Sequence, residues 1–281
     1  MTNAIESALS QSGVPEIIVI DDGSTDGTYD MVLSKFPTVR LERSEESLGL
    51  IVQRNFAASI ATGDIIFSLD DDAEFTTVNI VNHVLKEFTD SRIGVVAIPY
   101  LEPRKDNTLY QSAPDSHGIW VTNSFIGTAH ALKRDIFLRL GGYREHLVHQ
   151  GEEGDYALRL MEAGYVVRLS CADPIKHWES PKRDLSRMDY YGTRNSILFV
   201  WQNAPLVYLP VNIIVTTFKC LFFTIKPERL WNRLYGIFKG YHDCFFEKRL
   251  AVSWRTYRIW RYLRKRGPRG IEKVVPSLNN M

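Results

Sequence analysis

The stretch Ile65-Ile66-Phe67-Ser68-Leu69-Asp70-Asp71-Asp72 decides the fold class of this chain. Residues 65–69 are apolar at four of five positions and include β-branched and aromatic side chains, a composition typical of a buried strand. Three consecutive aspartates follow directly. In open α/β sheets, ligands bind outside the carboxyl ends of the strands, so this run predicts a binding site at that edge.

A second apolar run, residues 16–20, also ends in acids, at Asp21-Asp22-Gly23. Helix and strand patterns alternate between the two runs, which predicts an α/β fold with a mainly parallel, Rossmann-like sheet buried on both faces. Both acidic runs would then lie at one sheet edge. The other predicted strands are residues 39–41, Gly94–Tyr100 and Val166–Ser170. The predicted helices are Ala4–Gln11, Thr28–Lys35, Gly49–Ala61, Thr77–Thr89, Lys133–Leu140 and Asp155–Ala163.

The acids at these strand ends suit a divalent cation and a nucleotide. Asp70 and Asp72 stand at alternate positions and can converge on Mg²⁺ or Mn²⁺, which prefer one or two carboxylates together with substrate phosphates. Asp21 can accept hydrogen bonds from a base or a ribose, because an ionised carboxylate offers only acceptors. A calcium loop is excluded, since the spacing of aspartates that it needs is absent. The alternative for residues 70–72 is a solvated acidic turn.

The distribution of charge divides the chain into an acidic body and a basic tail. The 281 residues carry a formal net charge of +1, yet residues 226–281 hold 14 Lys and Arg against 4 Asp and Glu. The preceding part holds 20 against 29 and suits a protein that binds a cation. The tail suits a partner with phosphates, either lipid headgroups or nucleic acid. The acidic body argues against nucleic acid, because it would repel the phosphate backbone.

The cysteines and the first residues indicate a cytoplasmic protein. Cys171, Cys220 and Cys244 lie far apart without CxxC spacing, so neither a disulfide framework nor a zinc knuckle is expected. Residues 1–7 lack the basic patch and apolar run of a secretory signal. We therefore expect the protein in the cytoplasm, at the inner face of the plasma membrane.

The C-terminal part predicts peripheral association with a membrane. Leu206–Ile225 approaches the about 20 residues needed to cross a bilayer, but Asn212 and Lys219 interrupt it, so we expect an interfacial or core-packed segment. Aromatic and basic residues then alternate in the tail, which suits the headgroup layer. A solvated basic helix is the alternative. The alternating residues are Trp254, Arg255, Tyr257, Arg258, Trp260, Arg261, Tyr262 and Arg264.

Four motifs in a fixed order resemble family 2 glycosyltransferases with the GT-A fold, over residues 4 to about 180. They are residues 18–28 (IVIDDGSTDGT), residues 48–64 with Arg54-Asn55, the strand ending Leu69-Asp70-Asp71-Asp72-Ala73, and residues 127–165 with Gly151-Glu152-Glu153-Gly154-Asp155. The resemblance implies a GT-A catalytic domain over residues 1–180. The composition of the rest of the chain predicts a helix with an apolar membrane-proximal segment over residues 181–225 and a basic, aromatic helical tail over residues 226–281.

The resemblance also implies a role for individual residues. Glu153 falls where the family usually has the aspartate that deprotonates the acceptor hydroxyl, and Asp155 is the competing candidate for this catalytic role. His177 falls where a histidine completes the metal shell in many GT-A enzymes. The implied donor-binding residues are Asp21, Asp22, Arg54, Asp70 and Asp71. The implied metal ligands are Asp70, Asp72 and His177.

The family ordinarily begins with a strand and turn that precede the helix resembling Ala4–Gln11, and we expect that the domain is truncated before this helix; the alternative is a rearranged sheet. The function implied is an inverting glycosyltransferase of cell-surface glycan biosynthesis. It would move a sugar from a UDP-, dTDP- or GDP-linked donor to a lipid-linked or polysaccharide acceptor. The alternative is a catalytically silent nucleotide-sugar-binding or scaffold protein derived from such an enzyme.

Overall fold

The computed structural model describes residues 1–13, 15–180, 183–223 and 226–274. Its strands are β1 (Ile18–Asp21), β2 (Arg40–Arg43), β3 (Ile65–Ser68), β4 (Ala73–Phe75), β5 (Ile93–Ala97), β6 (Tyr100–Leu101), β7 (Leu109–Tyr110), β8 (Trp120–Thr122), β9 (His130–Lys133), β10 (Val166–Leu169), β11 (Ile175–His177) and β12 (Arg269–Gly270). Its α-helices are α1 (Thr2–Leu9), α2 (Thr28–Lys35), α3 (Leu50–Ile60), α4 (Ile80–Lys86), α5 (Arg134–Arg139), α6 (Glu152–Glu162), α7 (Leu185–Asn203), α8 (Leu209–Phe222), α9 (Pro227–Asp243), α10 (Trp254–Arg266) and α11 (Ile271–Val274).

The described strands form three sheets. The largest has six strands in the order β12-β8-β10-β5-β9-β3, the second has the order β4-β11-β6-β7, and β1 pairs with β2 alone. The predicted α/β class is confirmed. The two acidic runs, however, follow strands of different sheets, so the prediction of one shared sheet edge was wrong.

The six-stranded sheet is mixed rather than mainly parallel. β10 and β5 are parallel, but β9 lies between β5 and β3 and is antiparallel to both. The cause is the path of the chain: the Ile98 amide, just after β5, donates to the Ala129 carbonyl, just before β9, at 2.9 Å. Because β9 is entered from the carboxyl ends of its neighbours, it must run back between them.

The core lies on both faces of this sheet. All five residues of β5 are buried, with Val96 packed in one apolar cluster and Val95 in the other. Side chains alternate between the two faces of a strand, so a wholly apolar strand is stable only where both faces are covered. The predicted strand Gly94–Tyr100 is nevertheless divided. Pro99 has no amide hydrogen for the ladder, and the chain leaves β5 there to form β6 in the second sheet.

The helices α8 and α9 pack on α7, whereas α10 packs on α6 and β8. Gly236 and Gly240 of α9 face α7 so closely that an added Cβ would lie 2.5 Å from the Tyr190 carbonyl oxygen and 3.0 Å from that of Arg194. Within the described part of the chain, no helix has both the length and the apolar composition needed to cross a bilayer. The last two residues of the predicted segment, Thr224 and Ile225, lie outside the described residues.

Candidate active site

The loop after β3 places Asp70 against Arg54 of α3. Arg54 Nη2 donates to Asp70 Oδ1 at 2.6 Å, and the Asp70 amide donates to Thr128 Oγ1 at 3.0 Å. The guanidinium is nearly buried, while Asp70 keeps 27% of its side chain exposed. Asp70 is therefore fixed from two directions and still open to a ligand.

A candidate metal centre lies beside this pair. One ligand atom from each of Asp70, Asp72 and His177 can be chosen so that all lie within 4.8 Å of one another. The antiparallel pairing of β4 with β11, in which His177 faces Ala73, brings the histidine to the acidic loop. Two carboxylates and an imidazole suit Mn²⁺, and a hard cation in general, so the residues fit the predicted metal.

Glu102 orients His177 for this role. His177 Nδ1 donates to Glu102 Oε1 at 3.0 Å, and His177 Nε2 lies 3.3 Å from Asp72 Oδ1. Hydrogen bonding to Asp72 raises the pKa of His177, burial opposes this, and the bond to Glu102 adds to it. A carboxylate on the far ring nitrogen is the usual second partner of a metal-ligating histidine.

The candidate base lies on the other side of Arg54. Glu152 and Glu153 open α6, and Arg54 Nη1 is 3.4 Å from Glu152 Oε1 and 4.0 Å from Glu153 Oε1. Burial and then the charge of Glu152 raise the pKa of Glu153 to about 8, against the opposing effect of Arg54. Glu152 is 3% exposed and Glu153 20%, so Glu153 is the one that an acceptor can reach. A raised pKa near the working pH is what a general base needs.

Gly127 permits the approach of these groups. A Cβ at this position would lie 2.5 Å from Arg54 Nη1 and 2.7 Å from Glu153 Oε1, closer than any side chain tolerates. The glycine therefore makes room for the cation and the carboxylate at the same point.

The structure does not bring Asp155 to this cluster. It is 2% exposed, and its oxygens accept from Arg144 at 2.7 Å, Arg159 at 2.8 Å and Asn203 at 2.8 Å. A buried carboxylate held by two guanidinium groups and an amide has no accessible lone pair for an acceptor hydroxyl. The geometry thus separates the two catalytic candidates and corrects the placement of Asp155 near the reaction.

Asp21 and Asp22 also differ in how many protein donors bond to their carboxylates. Both Asp22 oxygens accept hydrogen bonds from residues 47–53 and so hold the loop before α3; its binding of a nucleotide sugar stays a prediction. Asp21 is buried beside Arg43, with Oδ1 accepting from the Ser24 amide and Oδ2 lacking a hydrogen-bond partner. The donors to Asp22 are Ser47 Oγ, the amides of Leu48 and Gly49, and Gln53 Nε2. No hydrogen bond or ion pair joins Asp21 to Asp70 within the described residues.

Asp71 is exposed at the mouth of a cleft of about 530 Å³. Asp72, Arg104 and Trp178 also line this cleft, and the Trp178 amide donates to the Asp72 carbonyl at 2.7 Å. The cleft adjoins the candidate metal ligands and gives space for a ligand of nucleotide size.

α7 holds the loop that precedes the candidate base. Asn195 Nδ2 donates to the carbonyls of Leu147, His149 and Gln150, each at 2.8 Å, just before α6 begins. Arg194 Nη1 donates to the His146 carbonyl while its Nε donates to Asp243 of α9 at 2.6 Å. Arg194 is therefore a buried cation that joins α7 to α9 and to the loop before α6.

The comparisons with known proteins agree with this geometry. The family described as Glycosyl transferase family 2 matches residues 1–144. The chain belongs to glycosyltransferase family 2. This glycosyltransferase is 24% identical to the O-antigen chain rhamnosyltransferase WbaN of Salmonella anatum over 274 residues, covering 80% of this chain and 85% of that protein. It is 26% identical to the glucosyl-dolichyl phosphate glucuronosyltransferase of Haloferax volcanii, covering 60% of this chain and 58% of that protein.

Solved structures confirm the GT-A fold of the glycosyltransferase. The mannosyltransferase PcManGT from Pyrobaculum calidifontis, in complex with GDP-Man and Mn²⁺, aligns with a TM-score of 0.55 at 19% identity, over 99% of this chain and 81% of that one. Staphylococcus aureus TarS aligns with a TM-score of 0.62 at 14% identity, over 99% of this chain and 52% of that one.

Three residues at the site of the glycosyltransferase escaped the sequence analysis. Thr128 fixes the Asp70 backbone, Glu102 orients His177, and Asn195 holds the loop before α6. Glu102 had a usable signal, because it follows an apolar strand. Thr128 and Asn195 had none, since each acts on residues more than 40 positions away.

Proposed function

We propose that this glycosyltransferase moves a sugar, with inversion at the anomeric carbon, from a UDP-, dTDP- or GDP-linked donor to a hydroxyl of a lipid-linked or polysaccharide acceptor. The observation that carries the proposal is Arg54, whose guanidinium joins the metal-ligand cluster at Asp70 to the candidate base Glu153. Donor and acceptor groups would thus meet around one fixed cation.

The donor would bind between β1 and the loop after β3. Asp21 Oδ2 is buried and makes no hydrogen bond, and its one charged neighbour is Arg43 Nε at 3.3 Å; its remaining lone pair suits the N–H of a base or the hydroxyl of a ribose. Asp70, Asp72 and His177 would hold Mg²⁺ or Mn²⁺, which neutralises charge on a leaving diphosphate. The mannosyltransferase from Pyrobaculum calidifontis, which shares this fold, was solved with GDP-Man and Mn²⁺. Its structure supports a nucleotide sugar and a divalent cation as the ligands of this fold.

Glu153 would remove the acceptor proton. The acceptor oxygen attacks the anomeric carbon, the bond from that carbon to the diphosphate oxygen breaks with its electron pair leaving on the diphosphate, and the hydroxyl proton passes to the Glu153 carboxylate. Attack from the side opposite the leaving group inverts the configuration. Arg54 keeps its charge throughout. Burial would lower its pKa, but the carboxylates of Asp70, Glu153 and Glu152 outweigh this and raise it.

The acceptor class rests on the relatives. The Salmonella relative is an O-antigen chain rhamnosyltransferase, and its match extends over most of both chains. This supports a role in the synthesis of a cell-surface glycan.

The test is calorimetry with UDP, dTDP and GDP, with and without Mn²⁺, on the wild-type protein and on Asp72→Ala. We expect binding of one nucleotide that depends on the metal and is weakened by the substitution. Metal-independent binding, or none by the wild type, would contradict the assignment of the acidic loop. Release of the nucleoside diphosphate from the matching nucleotide sugar then separates an enzyme from a silent binding protein, because only an enzyme turns over.

A further inference from the structure

We propose that α8, α9 and the segment to residue 250 form a membrane-docking face, and that its partner is a lipid surface with anionic headgroups. The proposal goes beyond glycosyl transfer, since the residues that carry it lie outside the candidate active site. It rests on which side chains these helices expose and on the charge around them.

Exposed aromatic side chains are concentrated in this part of the molecule. Within the described residues, 12 Phe, Tyr and Trp side chains are exposed, and 11 of them lie between residues 218 and 262. The remaining one is Phe56 in α3. Single exposed apolar residues are normal on a protein surface, whereas a contiguous group of large ones marks an interaction surface.

α9 has its polar side inward and its apolar side outward. The inward side packs on α7 through Gly236 and Gly240, and there Arg229 pairs with Asp189 at 2.6 Å. The outward side exposes Trp231 by 77% and also carries exposed apolar side chains one and two turns further on. These are Leu234, Tyr235 and Phe238. A helix on the surface of a water-soluble domain has the opposite arrangement.

α8 continues the apolar face. Its exposed residues Val211, Ile214, Val215, Phe218 and Phe222 recur at intervals of three and four, which places them along one side of the helix. The two helices are neighbours, since Thr217 Oγ1 and Tyr241 Oη are 2.6 Å apart. Phe245 and Phe246, exposed by 88% and 75%, follow α9 and extend the face.

Exposed basic residues lie within this segment, at Lys219, Lys226 and Lys248, and in α10, which packs on α6 and β8. Nine Lys and Arg between residues 219 and 266 are exposed, whereas Asp243 is buried and Glu247 is half-buried. The exposed basic residues are Lys219, Lys226, Lys248, Arg255, Arg258, Arg261, Arg264, Lys265 and Arg266. Large apolar rings with cations at their edge match the acyl boundary and the anionic headgroups of a bilayer.

The same charges argue against a second copy of the chain as the occupant. A two-fold dimer would bring this face against itself, because the same patch meets in both subunits. Its basic residues would then lie next to those of the partner, and like charges in an interface are unfavourable. A bilayer with anionic lipids instead offers charges of the opposite sign.

The test is co-sedimentation of the full chain with vesicles of phosphatidylcholine, with or without phosphatidylglycerol. We expect the wild type to sediment with the anionic vesicles, and Trp231→Ser/Phe238→Ser to lower the partition coefficient by about tenfold or more, because two large rings leave the interface. Lys248→Gln/Arg258→Gln/Lys265→Gln should weaken binding to anionic vesicles and reduce its dependence on salt.

The matched control is Leu33→Ser/Leu138→Ser, which removes two exposed leucines outside the face and should bind as the wild type does. Thermal unfolding and nucleotide binding check that each variant is folded, and they separate a failure here from a failure of the proposed function. Equal binding by the Trp231→Ser/Phe238→Ser variant, or no binding of the wild type to anionic vesicles, overturns the proposal. So does a lipid-free dimer that this variant converts to a monomer.

Discussion

The carboxyl ends of β1 and β3 carry similar acidic runs, Asp21-Asp22 and Asp70-Asp71-Asp72, but the surrounding chain uses their side chains differently. At β1, Asp22 accepts four hydrogen bonds from residues 47–53. At β3, Asp70 and Asp72 each face one charged or basic partner and keep about a third of their surface open.

The difference teaches how to separate acids that hold the fold from acids that bind ligands. Neutral donors of the chain satisfy every oxygen of Asp22, so no ligand is needed to complete its hydrogen bonds. Asp70 and Asp72 lie at 2.6 Å from Arg54 and 3.3 Å from His177, and their remaining lone pairs point at no protein donor that is described. Glu153 and Asp155, in the acidic run at residues 152–155, differ in the same respect: protein donors occupy the oxygens of Asp155, whereas Glu153 is partly exposed.

The largest effect should come from the acidic run at residues 152–155. Glu153→Gln should lower kcat by about 10²–10⁴-fold, because the amide cannot accept the acceptor proton, while the nucleotide affinity stays near that of the wild type. Turnover of the matching nucleotide sugar and calorimetry measure the two quantities. Glu152→Gln is the control and should lose less. If Glu152→Gln lost more activity than Glu153→Gln, the assignment of the base would move by one residue.

The next largest effect tests the loop after β3. Asp72→Ala should weaken Mn²⁺-dependent nucleotide binding by about 100-fold, whereas Asp71→Ala, which removes an exposed neighbour outside the ligand cluster, should weaken it far less. Titration of Mn²⁺ in the presence of the nucleotide provides the measurement. Equal losses in both variants would show that the loop attracts the metal only by its total charge.

The pH dependence should be smaller but diagnostic. The pKa of about 8 means that Glu153 is protonated below this pH, so kcat/KM should rise about tenfold per pH unit until about pH 8 and then level off. The stability of the protein should change in the opposite direction. The pKa of Glu153 is about 8 in the folded state and 4.5 in the unfolded state, so the folded state binds the proton more tightly, and the free energy of unfolding should fall as the pH rises from about 5 to about 8. Glu153→Gln should flatten both profiles, and a profile unchanged by it would exclude Glu153 as the titrating group.

The smallest effects compare the two acids of β1. Asp22→Asn should lower the free energy of unfolding by about 1–3 kcal/mol, because its new NH₂ group faces two of the four donors that the carboxylate now accepts from, and should leave the nucleotide affinity of the folded protein nearly unchanged. Asp21→Asn should weaken nucleotide binding by about tenfold with a smaller loss of stability, since its Oδ1 can still accept from Ser24 and the ion pair that it loses is with the half-exposed Arg43. Denaturant unfolding and calorimetry on both variants give the answer. The reverse pattern would exchange the roles of the two acids.

The sequence predicted the elements whose signal is local. The helix Thr28–Lys35 was predicted with its observed bounds, and the strand at residues 65–69 differs only at Leu69. The order of the sheets could not be predicted in this way, because the antiparallel entry of β9 depends on where a loop returns, and no periodicity in His130–Lys133 records that.

In the candidate site, too, the local features could be predicted and the long-range contacts could not. Asp70, Asp72 and His177 converge as predicted, because Asp72 and His177 lie at the ends of the paired strands β4 and β11 and Asp70 is two residues before Asp72. Only the partner Arg159 of Asp155 could be predicted, as an i,i+4 pair within α6; Arg144 and Asn203 come from other parts of the fold. A carboxylate is identified as free or occupied only by its three-dimensional neighbours, and these are what the sequence around Glu153 and Asp155 leaves out.

The close packing of α9 on α7 at Gly236 and Gly240 has a consequence for acceptor length. The contact leaves no flexible joint between the outward-facing rings and the loop before Glu153, which α7 holds through Asn195. If those rings rest at a bilayer, the base stands at a constant height above the lipid. The number of sugar units between a lipid anchor and a reactive hydroxyl would then have a lower and an upper limit, set by the thickness of the protein.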